Sequence, residues 1–323
     1  MAASNKTGGV DVSITTNDLR QAHVLIRDGI HETAVMQSAS LNQMTGASLF
    51  FKCEHLQKTG SFKARGALNA VRRLDAQQAS KGVATHSSGN HGAALARAAA
   101  LQGIVAYIVV PANAPAVKKA NIALHGAQII ECESTLAARE AALADVVERT
   151  GANYIPPYDD ARIIAGQGTA ALELIDAVAG LDAMVVPVGG GGLLAGSLIA
   201  SAGQMQVFGA EPEMADDAYR SFTTGVRVTR HTPKTMADGL RTTLGEHNFV
   251  IIREQCQGIL LVSEAEISAA MQLVWSRLKQ LIEPSSAVTL AAVLRYPEHF
   301  QQKRVGLILT GGNVSVTDFS PTP

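Results

Sequence analysis

The sequence predicts an α/β protein built on parallel sheets that are covered by helices. Short runs rich in β-branched residues recur along the chain, and each is followed by a glycine-rich turn and then by an alanine-rich stretch. This alternation is typical of parallel sheets, because parallel strands need a crossover connection that is usually a helix. The predicted strands are residues 82–85, 105–110, 127–131, 183–188 and 305–309.

Helical spacing is clearest in the stretch that precedes Gly151. Leu143, Val146 and Val147 fall at i, i+3 and i+4, and Gly151 is placed to end that helix. Residues 151–160 then carry a Pro-Pro pair among turn formers, which predicts a crossover between domains.

Composition limits the classes of partner. Hydrophobic residues make up 47% of the 323 residues and charged residues 17%, which fits one large or two modest well-buried domains. A net charge of −1 provides no overall field to attract nucleic acid or an anionic membrane. The three cysteines lie far apart without metal-ligand spacing, and no apolar run suits a signal peptide or a membrane span. We therefore expect a soluble cytoplasmic protein with neither nucleic acid nor membrane as partner.

Lys63 is a candidate nucleophile. It follows Phe62 directly, among small residues, at a predicted junction between a loop and a helix. An apolar pocket disfavours the charged form of a lysine, and a neutral amine can form a Schiff base. An ordinary solvated lysine at the start of a helix is the alternative.

Four consecutive glycines form a candidate phosphate site. Gly189, Gly190, Gly191 and Gly192 stand between an apolar run and a helical stretch that begins near Leu193. Residues without Cβ let backbone N–H groups curl around a phosphate at a helix N-terminus. The run is neither GxGxxG nor a P-loop, so a monophosphate fits better than a nucleotide, and a flexible linker is the alternative.

A serine-rich loop follows the first predicted strand. Ser87, Ser88 and Asn90 offer hydroxyl and amide donors suited to a carboxylate, although such residues also serve as ordinary helix caps. The residues by themselves give His91 no role. Thr310 ends the last strand-like run, where a hydroxyl could meet a ligand ring nitrogen or only form a turn.

Taken together, these motifs resemble the fold type II pyridoxal-phosphate enzymes, which share a tryptophan synthase β-like fold. Within them, the sequence is similar to the eukaryotic-type serine racemases and the related serine/threonine and hydroxyaspartate dehydratases. The resemblance extends from about Ile30 to Val314 and includes further matching segments at 50–54, 164–169, 237–239 and 282–284.

The resemblance implies two open twisted parallel-sheet domains. Residues 1–81 and 160–323 would form a large cofactor-binding domain, with residues 82–159 inserted as a small domain, and the enzyme would be a homodimer. Pyridoxal 5'-phosphate would be the cofactor. The implied cofactor-binding residues are Phe62 beside the ring, Lys63 as the Schiff-base lysine, Asn90 at the 3'-oxygen, Gly189, Gly190, Gly191, Gly192 and Leu193 at the phosphate, and Thr310 at the pyridine nitrogen, where the family usually has serine or cysteine.

The resemblance also implies residues that react with the substrate, bind it or bind a metal ion. Lys63 and Ser88 would exchange protons with the substrate on opposite faces, since serine racemases have serine at the second position and strict dehydratases commonly have alanine. The implied substrate-binding residues are Ser87, Asn90, His91 and Arg241. The implied ligands of Mg²⁺ or Ca²⁺ are Glu211, Ala215 and Asp217, in a carboxylate-rich segment whose alternative is a solvated surface.

The implied reaction is racemisation and dehydration of serine, giving D-serine and pyruvate plus ammonia. Several alternatives remain open. L-Threonine or 3-hydroxyaspartate is the alternative substrate, with ammonia-lyase activity and little racemisation, and Arg241 could accept the second carboxylate of hydroxyaspartate. A cysteine synthase is a further possibility, although those enzymes typically have Thr-Ser-Gly-Asn-Thr where this chain has residues 87–91. A phosphate-binding sensor without catalysis belongs to a different class.

Overall fold

The structure, a computed structural model, describes residues 14–114 and 116–315. Its strands form a six-stranded sheet in the order β1-β2-β10-β7-β8-β9 and a four-stranded sheet in the order β5-β4-β3-β6, with these bounds: β1 (Val35–Met36), β2 (Ser48–Cys53), β3 (Val83–His86), β4 (Ala106–Pro111), β5 (Gln128–Cys132), β6 (Asn153–Tyr154), β7 (Ala183–Pro187), β8 (Gln206–Pro212), β9 (Gly258–Val262) and β10 (Arg304–Leu309).

The predicted parallel α/β architecture is confirmed. All the predicted strands are present as β3, β4, β5, β7 and β10, and the neighbouring strands run parallel except for β1, which lies antiparallel to β2 at one edge. The prediction missed β1, β2, β6, β8 and β9, of which β1 and β6 have only two residues and give no periodic signal.

Helices connect the strands and cover both sheets. Their bounds are α1 (Thr16–Ile26), α2 (Ala39–Thr45), α3 (Lys63–Arg72), α4 (Ala76–Lys81), α5 (Asn90–Leu101), α6 (Ala116–Ala123), α7 (Leu136–Thr150), α8 (Ala161–Ala177), α9 (Gly192–Ser201), α10 (Asp217–Thr224), α11 (Glu246–Gln255), α12 (Glu264–Leu273), α13 (Pro284–Arg295) and α14 (Pro297–Phe300). Among the helices of the described ranges, none is both long and apolar enough to cross a membrane.

Local sequence explains where α7 begins and ends. The hydroxyl of Thr135 accepts a hydrogen bond from the Ala138 amide and caps the first turn. Gly151 adopts a left-handed conformation with φ 68° and ends the helix, as predicted.

The large sheet is buried on both faces. Met184 and Val186 of β7 point into one apolar cluster, whereas Ala183 and Val185 point into another on the opposite face. Strands buried on both sides read as continuous apolar runs, which is why β7 was recognisable in the sequence.

A third apolar cluster packs α3 and α8 against the smaller sheet and its helix α5. It packs Ala67 of α3 and Ile163 of α8 against Leu95 of α5 and Ile108 of β4. The strands of the smaller sheet all lie between Val83 and Tyr154. We propose that residues 82–159 form an inserted domain and that the rest of the chain forms a large domain. The third apolar cluster would then lie at the boundary between them.

A buried ionic cluster fixes α3 against the end of β2 and against α8. The Arg65 guanidinium is fully buried and donates to the Glu54 carboxylate at 2.7 Å and to the Glu173 carboxylate at 2.6 Å. Lys52 lies 2.6 Å from Glu173 and donates to the Thr33 carbonyl. The two cations balance the two carboxylates, so the cluster meets the usual condition for burying charge.

Candidate active site

Three parallel strands end at one cavity. The loops after β3 and β7 and the residue after β10 contribute Ser88, Gly190 and Thr310 to a cavity of about 430 Å³. Ligands of open α/β sheets bind at the carboxyl ends of the strands, because loops and helix N-termini converge there.

Lys63 is the first residue of α3, at the predicted loop-to-helix junction. The Phe62 amide donates to the Thr310 carbonyl at 3.0 Å, which ties the start of the helix to the end of β10. The Lys63 Nζ lies 5.1 Å from the Phe62 ring centroid and donates to the Pro157 carbonyl at 2.7 Å. Burial lowers the pKa of Lys63 to about 8, against the opposing effect of Glu283. The amine is therefore neutral far more often than a surface lysine.

The tetraglycine loop lies between β7 and α9. Gly191 has φ +90°, a conformation that L side chains rarely adopt, and a Cβ at Gly190 would lie 2.2 Å from the Tyr158 ring. Within the described residues, the N–H groups of Gly189, Gly190, Gly191 and Gly192 form no hydrogen bond. Unpaired N–H groups at the start of a buried helix form an anion cradle whose size and donors fit a phosphate.

Thr310 presents its hydroxyl next to this cradle. The residue is buried and lines the cavity, and its Oγ1 lies 3.0 Å from the Ser286 Oγ. Ser286 in turn bonds both the amide and the carbonyl of Gly311. Because the single Ser286 proton goes to the Gly311 carbonyl, Thr310 donates to Ser286 here and would redirect its proton to meet a neutral ring nitrogen.

The serine loop contributes most of its predicted residues to the cavity. Ser88, Asn90 and His91 line it, whereas Ser87 does not, and the Ser87 hydroxyl accepts a 3.4 Å bond from the Gly89 amide. The role of Ser87 at the substrate stays a prediction.

His91 is neutral. Its Nε2 lies 3.0 Å from the Ile155 carbonyl, which can only accept, so Nε2 carries the proton. Burial, followed by the nearby Lys63, lowers the pKa of His91 to about 3. Its unprotonated Nδ1 is buried and has no partner within the described ranges, so it can accept a hydrogen bond from a ligand.

Sequence reasoning gave no role to Glu283. The residue precedes α13, lines the cavity and accepts from the Asn90 side-chain amide at 3.0 and 3.2 Å. Burial, followed by repulsion from Asp238, raises the pKa of Glu283 to about 7. The signal was a carboxylate directly before a proline at a helix start, but its partner lies 193 residues away.

Three further basic side chains line the cavity. Lys118 of α6 pairs with Asp238 at 2.5 Å, and the Arg241 guanidinium donates to the Thr235 carbonyl. The Arg139 side chain, on α7, forms no hydrogen bond or ion pair with the rest of residues 14–114 and 116–315. Sequence reasoning identified Arg241 and missed the other two, because both lie in the segment predicted as the small domain, far from any glycine motif.

Glu211 and Asp217 lie outside the cavity lining. Both are buried, and neither forms an ion pair within the described part of the chain. Glu211 accepts from the Tyr219 amide and Asp217 from the Leu244 amide. Burial, with Asp217 adding repulsion, raises the pKa of Glu211 well above its usual range, and burial raises the pKa of Asp217 to about 6.

The carboxylates of Glu211 and Asp217 could bind a hard cation only if backbone or water oxygens supplied the remaining ligands. Within residues 14–114 and 116–315, no group of three or more His, Cys, Asp or Glu side chains could hold a metal ion. Two buried, uncompensated carboxylates with Ala215 nearby are consistent with a site that uses a backbone carbonyl as third ligand.

A lysine of lowered pKa facing a cradle for one phosphate is what a phosphorylated aldehyde cofactor requires, and it defines a class of α/β enzymes that use pyridoxal phosphate. The chain belongs to the family of pyridoxal-phosphate dependent enzymes, whose pattern it matches over residues 26–311.

Characterised relatives cover nearly the whole chain. The serine racemase of Dictyostelium discoideum is 48% identical over 95% of this chain and 97% of its own length, and its crystal structure superposes with a TM-score of 0.90. The β-hydroxyaspartate dehydratase of Paracoccus denitrificans is also 48% identical, over 94% of this chain and 97% of its own. A pyridoxal 5'-phosphate-dependent aspartate racemase structure is 36% identical, with a TM-score of 0.91 over 96% of this chain and 99% of its own. The chain is thus a pyridoxal-phosphate enzyme similar to amino-acid racemases and dehydratases.

Proposed function

We propose that this enzyme racemises serine and also eliminates its hydroxyl group, giving D-serine in one reaction and pyruvate plus ammonia in the other. The observation that carries this proposal is the presence of two groups able to transfer protons in one cavity. Lys63 enters from the start of α3, and Ser88 enters from the loop after β3. The similarity to serine racemases over nearly the full chain supports serine as substrate.

Pyridoxal phosphate, when bound, supplies an electron sink that makes the α-hydrogen of an amino acid acidic. The Gly189–Gly192 cradle would hold its phosphate, Asn90 and Phe62 would lie at its ring, and Thr310 would meet its ring nitrogen. A hydroxyl at that nitrogen, in place of a carboxylate, leaves the ring nitrogen largely unprotonated. This favours elimination and racemisation over transamination.

Lys63 is the proposed base that removes the α-proton. Its pKa of about 8 lies close to neutral working pH, where a general base is most effective. If the β-hydroxyl then leaves as water, hydrolysis of the dehydrated product gives pyruvate and ammonia. If a proton returns to the α-carbon from the opposite face, D-serine is formed.

Ser88 is the proposed donor of that returning proton. Its hydroxyl forms no hydrogen bond within the described ranges, so it remains free to donate. Ser87 and Asn90 are the proposed binders of the substrate carboxylate, and His91 is proposed to accept a hydrogen bond from a donor group of the substrate through its Nδ1. A homodimer located in the cytoplasm completes the proposal.

Incubation of the purified holoenzyme with L-serine, following pyruvate and D-serine in the same samples, tests the function. We expect both products, and we expect Lys63→Ala to lose both together with the visible absorbance of the bound cofactor. Lys81→Ala, at an exposed lysine that ends α4, is the matched control. Absence of both products, with no reaction on threonine or 3-hydroxyaspartate, would overturn the proposal.

A dicarboxylic substrate is the second candidate, and Arg139 favours it. An arginine without a carboxylate partner in a buried cavity is suited to a second substrate carboxylate, and Arg241 lies in the same lining. The similarity to a β-hydroxyaspartate dehydratase points the same way. Arg139→Gln should raise the KM for 3-hydroxyaspartate far more than the KM for serine. An equal change in both values would count against a second carboxylate site.

We also propose a structural Mg²⁺ or Ca²⁺ at Glu211, the Ala215 carbonyl and Asp217. Its support is the burial of two carboxylates without a paired cationic side chain in the described residues. Because neither carboxylate lines the cavity, the cation would act on stability and not on proton transfer.

A further inference from the structure

Helix α11 lies behind the glycine loop, and its first turn is capped by a distant part of the chain. The Asp159 carboxylate accepts from the amides of Glu246 and His247 at 2.8 and 3.0 Å. Asp159 belongs to the crossover segment that also carries Pro157, the hydrogen-bond acceptor of Lys63. The start of α11 is therefore fixed relative to the catalytic lysine.

Asn248 in that first turn connects the same segment to the glycine loop. Its side chain is fully buried, and its Nδ2 donates to the Gly190 carbonyl at 2.7 Å and to the Tyr158 carbonyl at 3.2 Å. The Gly245 amide donates to the Gly190 carbonyl as well, at 3.1 Å. One carbonyl of the loop is thus held by two donors from the same side.

Holding this carbonyl also sets the direction of an N–H group. In a trans peptide the carbonyl of one residue and the N–H of the next point in opposite directions. The carbonyl of Gly190 points towards α11, so the N–H of Gly191 points away from α11 and towards the cavity. That N–H has no partner within the described residues.

Glycine makes this restraint necessary. A residue without Cβ has a wide choice of backbone conformations, so four in succession would not by themselves keep their N–H groups aimed at a ligand. Packing restricts the loop from one side, because the Tyr158 ring lies against Gly190. The hydrogen bonds from α11 restrict the peptide plane itself.

We propose that Asn248 is a positioning residue for cofactor binding: by holding the Gly190 carbonyl, it pre-orients the loop amides that bind the phosphate of pyridoxal phosphate. This inference rests on the proposed phosphate site. It assigns Asn248 no contact with cofactor or substrate.

The test compares a cofactor that has the phosphate with one that lacks it. Apoenzyme is titrated with pyridoxal phosphate and, separately, with pyridoxal, and the dissociation constants are read from visible absorbance. Asn248→Ala should raise the Kd for pyridoxal phosphate about tenfold, equivalent to about 1.4 kcal/mol, and change the Kd for pyridoxal less than twofold. Asn248→Ser, which keeps one donor, should give an intermediate value and serves if the alanine variant does not fold.

Asn153 provides a matched control. Its Nδ2 also donates to two backbone carbonyls, those of Gln78 and Gly82, at the end of β3 away from the cavity. Asn153→Ala should lower the melting temperature without changing either dissociation constant. An unchanged Kd for pyridoxal phosphate in both Asn248 variants, or equal losses for the two ligands, would overturn the proposal.

A different result would contradict the assignment of the glycine loop as the phosphate site. If Gly190→Ala also leaves the preference for pyridoxal phosphate over pyridoxal unchanged, the phosphate binds elsewhere. If only Gly190→Ala removes that preference, the phosphate site stands and the role of Asn248 is wrong. Neither titration uses an amino acid, so the outcome is independent of whether serine is the substrate.

Discussion

Among single residues, Lys63 is the proposed base that removes the α-proton, and Ser88 is the proposed donor of the returning proton. Both face the same cavity, but only Lys63 has a pKa shifted towards neutrality, by burial. An aliphatic hydroxyl does not ionise near neutral pH, so Ser88 can only pass on a proton that it exchanges with its surroundings. The two residues should therefore respond differently to substitution.

The first prediction concerns Ser88→Ala. Removing the hydroxyl takes away the proton donor on the face opposite Lys63, so D-serine formation should fall below detection. Pyruvate formation, which needs no proton from that face, should retain much of its rate. Both products are measured in the same reaction by coupled assay and chiral chromatography.

Equal loss of the two activities would contradict this division of roles and make Ser88 a cofactor or structural residue. Ser80, an exposed serine on α4, offers a control substitution that should leave both rates unchanged.

At the scale of elements, the glycine loop and the helix after it act as one unit. The second prediction is that Gly190→Ala weakens pyridoxal phosphate binding, because its Cβ would lie 2.2 Å from the Tyr158 ring. Overpacking of this kind typically costs about 1–3 kcal/mol, or roughly 5- to 150-fold in Kd. Titration of the apoenzyme measures it.

Gly258→Ala is the matched control for this substitution. The nearest atom to a Cβ at Gly258 in β9 is a Phe208 carbon at 3.9 Å, an ordinary contact. Cofactor affinity unchanged in the Gly190 variant would show that the ring moves aside without disturbing the loop.

The third prediction concerns the buried ionic cluster that holds α3. Arg65→Met removes the guanidinium shared by Glu54 and Glu173, which leaves buried carboxylates short of a partner. Breaking a buried pair in this way should lower the free energy of unfolding by about 3–5 kcal/mol. Urea unfolding of the variant and of the parent measures the difference.

Arg149→Ala gives the comparison at the surface. Arg149 pairs with Asp145 four residues earlier on α7, with both side chains mostly exposed. Such pairs contribute ~0.3–0.5 kcal/mol. A similar loss in the two variants would mean that water reaches the Arg65 cluster.

The sequence predicts elements better than it predicts contacts. The start of α3 at Lys63, the end of α7 at Gly151 and the turn into α9 were recognisable because small residues and apolar runs are local signals. The pairing of Glu283 with Asn90 spans 193 residues, and Asn248 meets Gly190 across 58. Only the packed fold brings such residues together, and no periodicity encodes them.

For the whole molecule, three buried carboxyl groups make stability depend on pH. The pKa of Asp217 is raised to about 6 and that of Glu283 to about 7, mainly by burial, and the pKa of Glu211 is raised as well. When the folded-state pKa exceeds the unfolded value, stability is lost as pH rises through the folded pKa. Glu173 has a lowered pKa and titrates in acid, outside this window.

The fourth prediction follows for the cation-free protein, whose melting temperature should fall between about pH 6.5 and pH 7.5, above the range in which the lowered pKa of His91 opposes the carboxyl groups. Added Mg²⁺ should raise it, and more at pH 7.5 than at pH 5.5, because a cation competes with protons for Glu211 and Asp217. Thermal unfolding with chelator and with Mg²⁺ at about pH 5.5, 6.5 and 7.5 measures both effects.

Replacing Glu211 by Gln and Asp217 by Asn should remove the response to Mg²⁺ and leave, above about pH 6.5, the pH dependence due to Glu283. Melting temperatures that ignore both chelator and cation in the parent protein would contradict the proposed metal site.

The pairing of β2 with β10 has a consequence for how the chain is made. Residues 48–53 leave the ribosome about 250 residues before their parallel partner at residues 304–309, so that side of β2 stays unpaired until β10 has been made. The smaller sheet, between Val83 and Tyr154, needs no distant strand and can form while synthesis continues. An open strand edge exposed for that long is a site for aggregation, so slowing translation between β2 and β10 should lower the soluble yield more than slowing it before β2 is made.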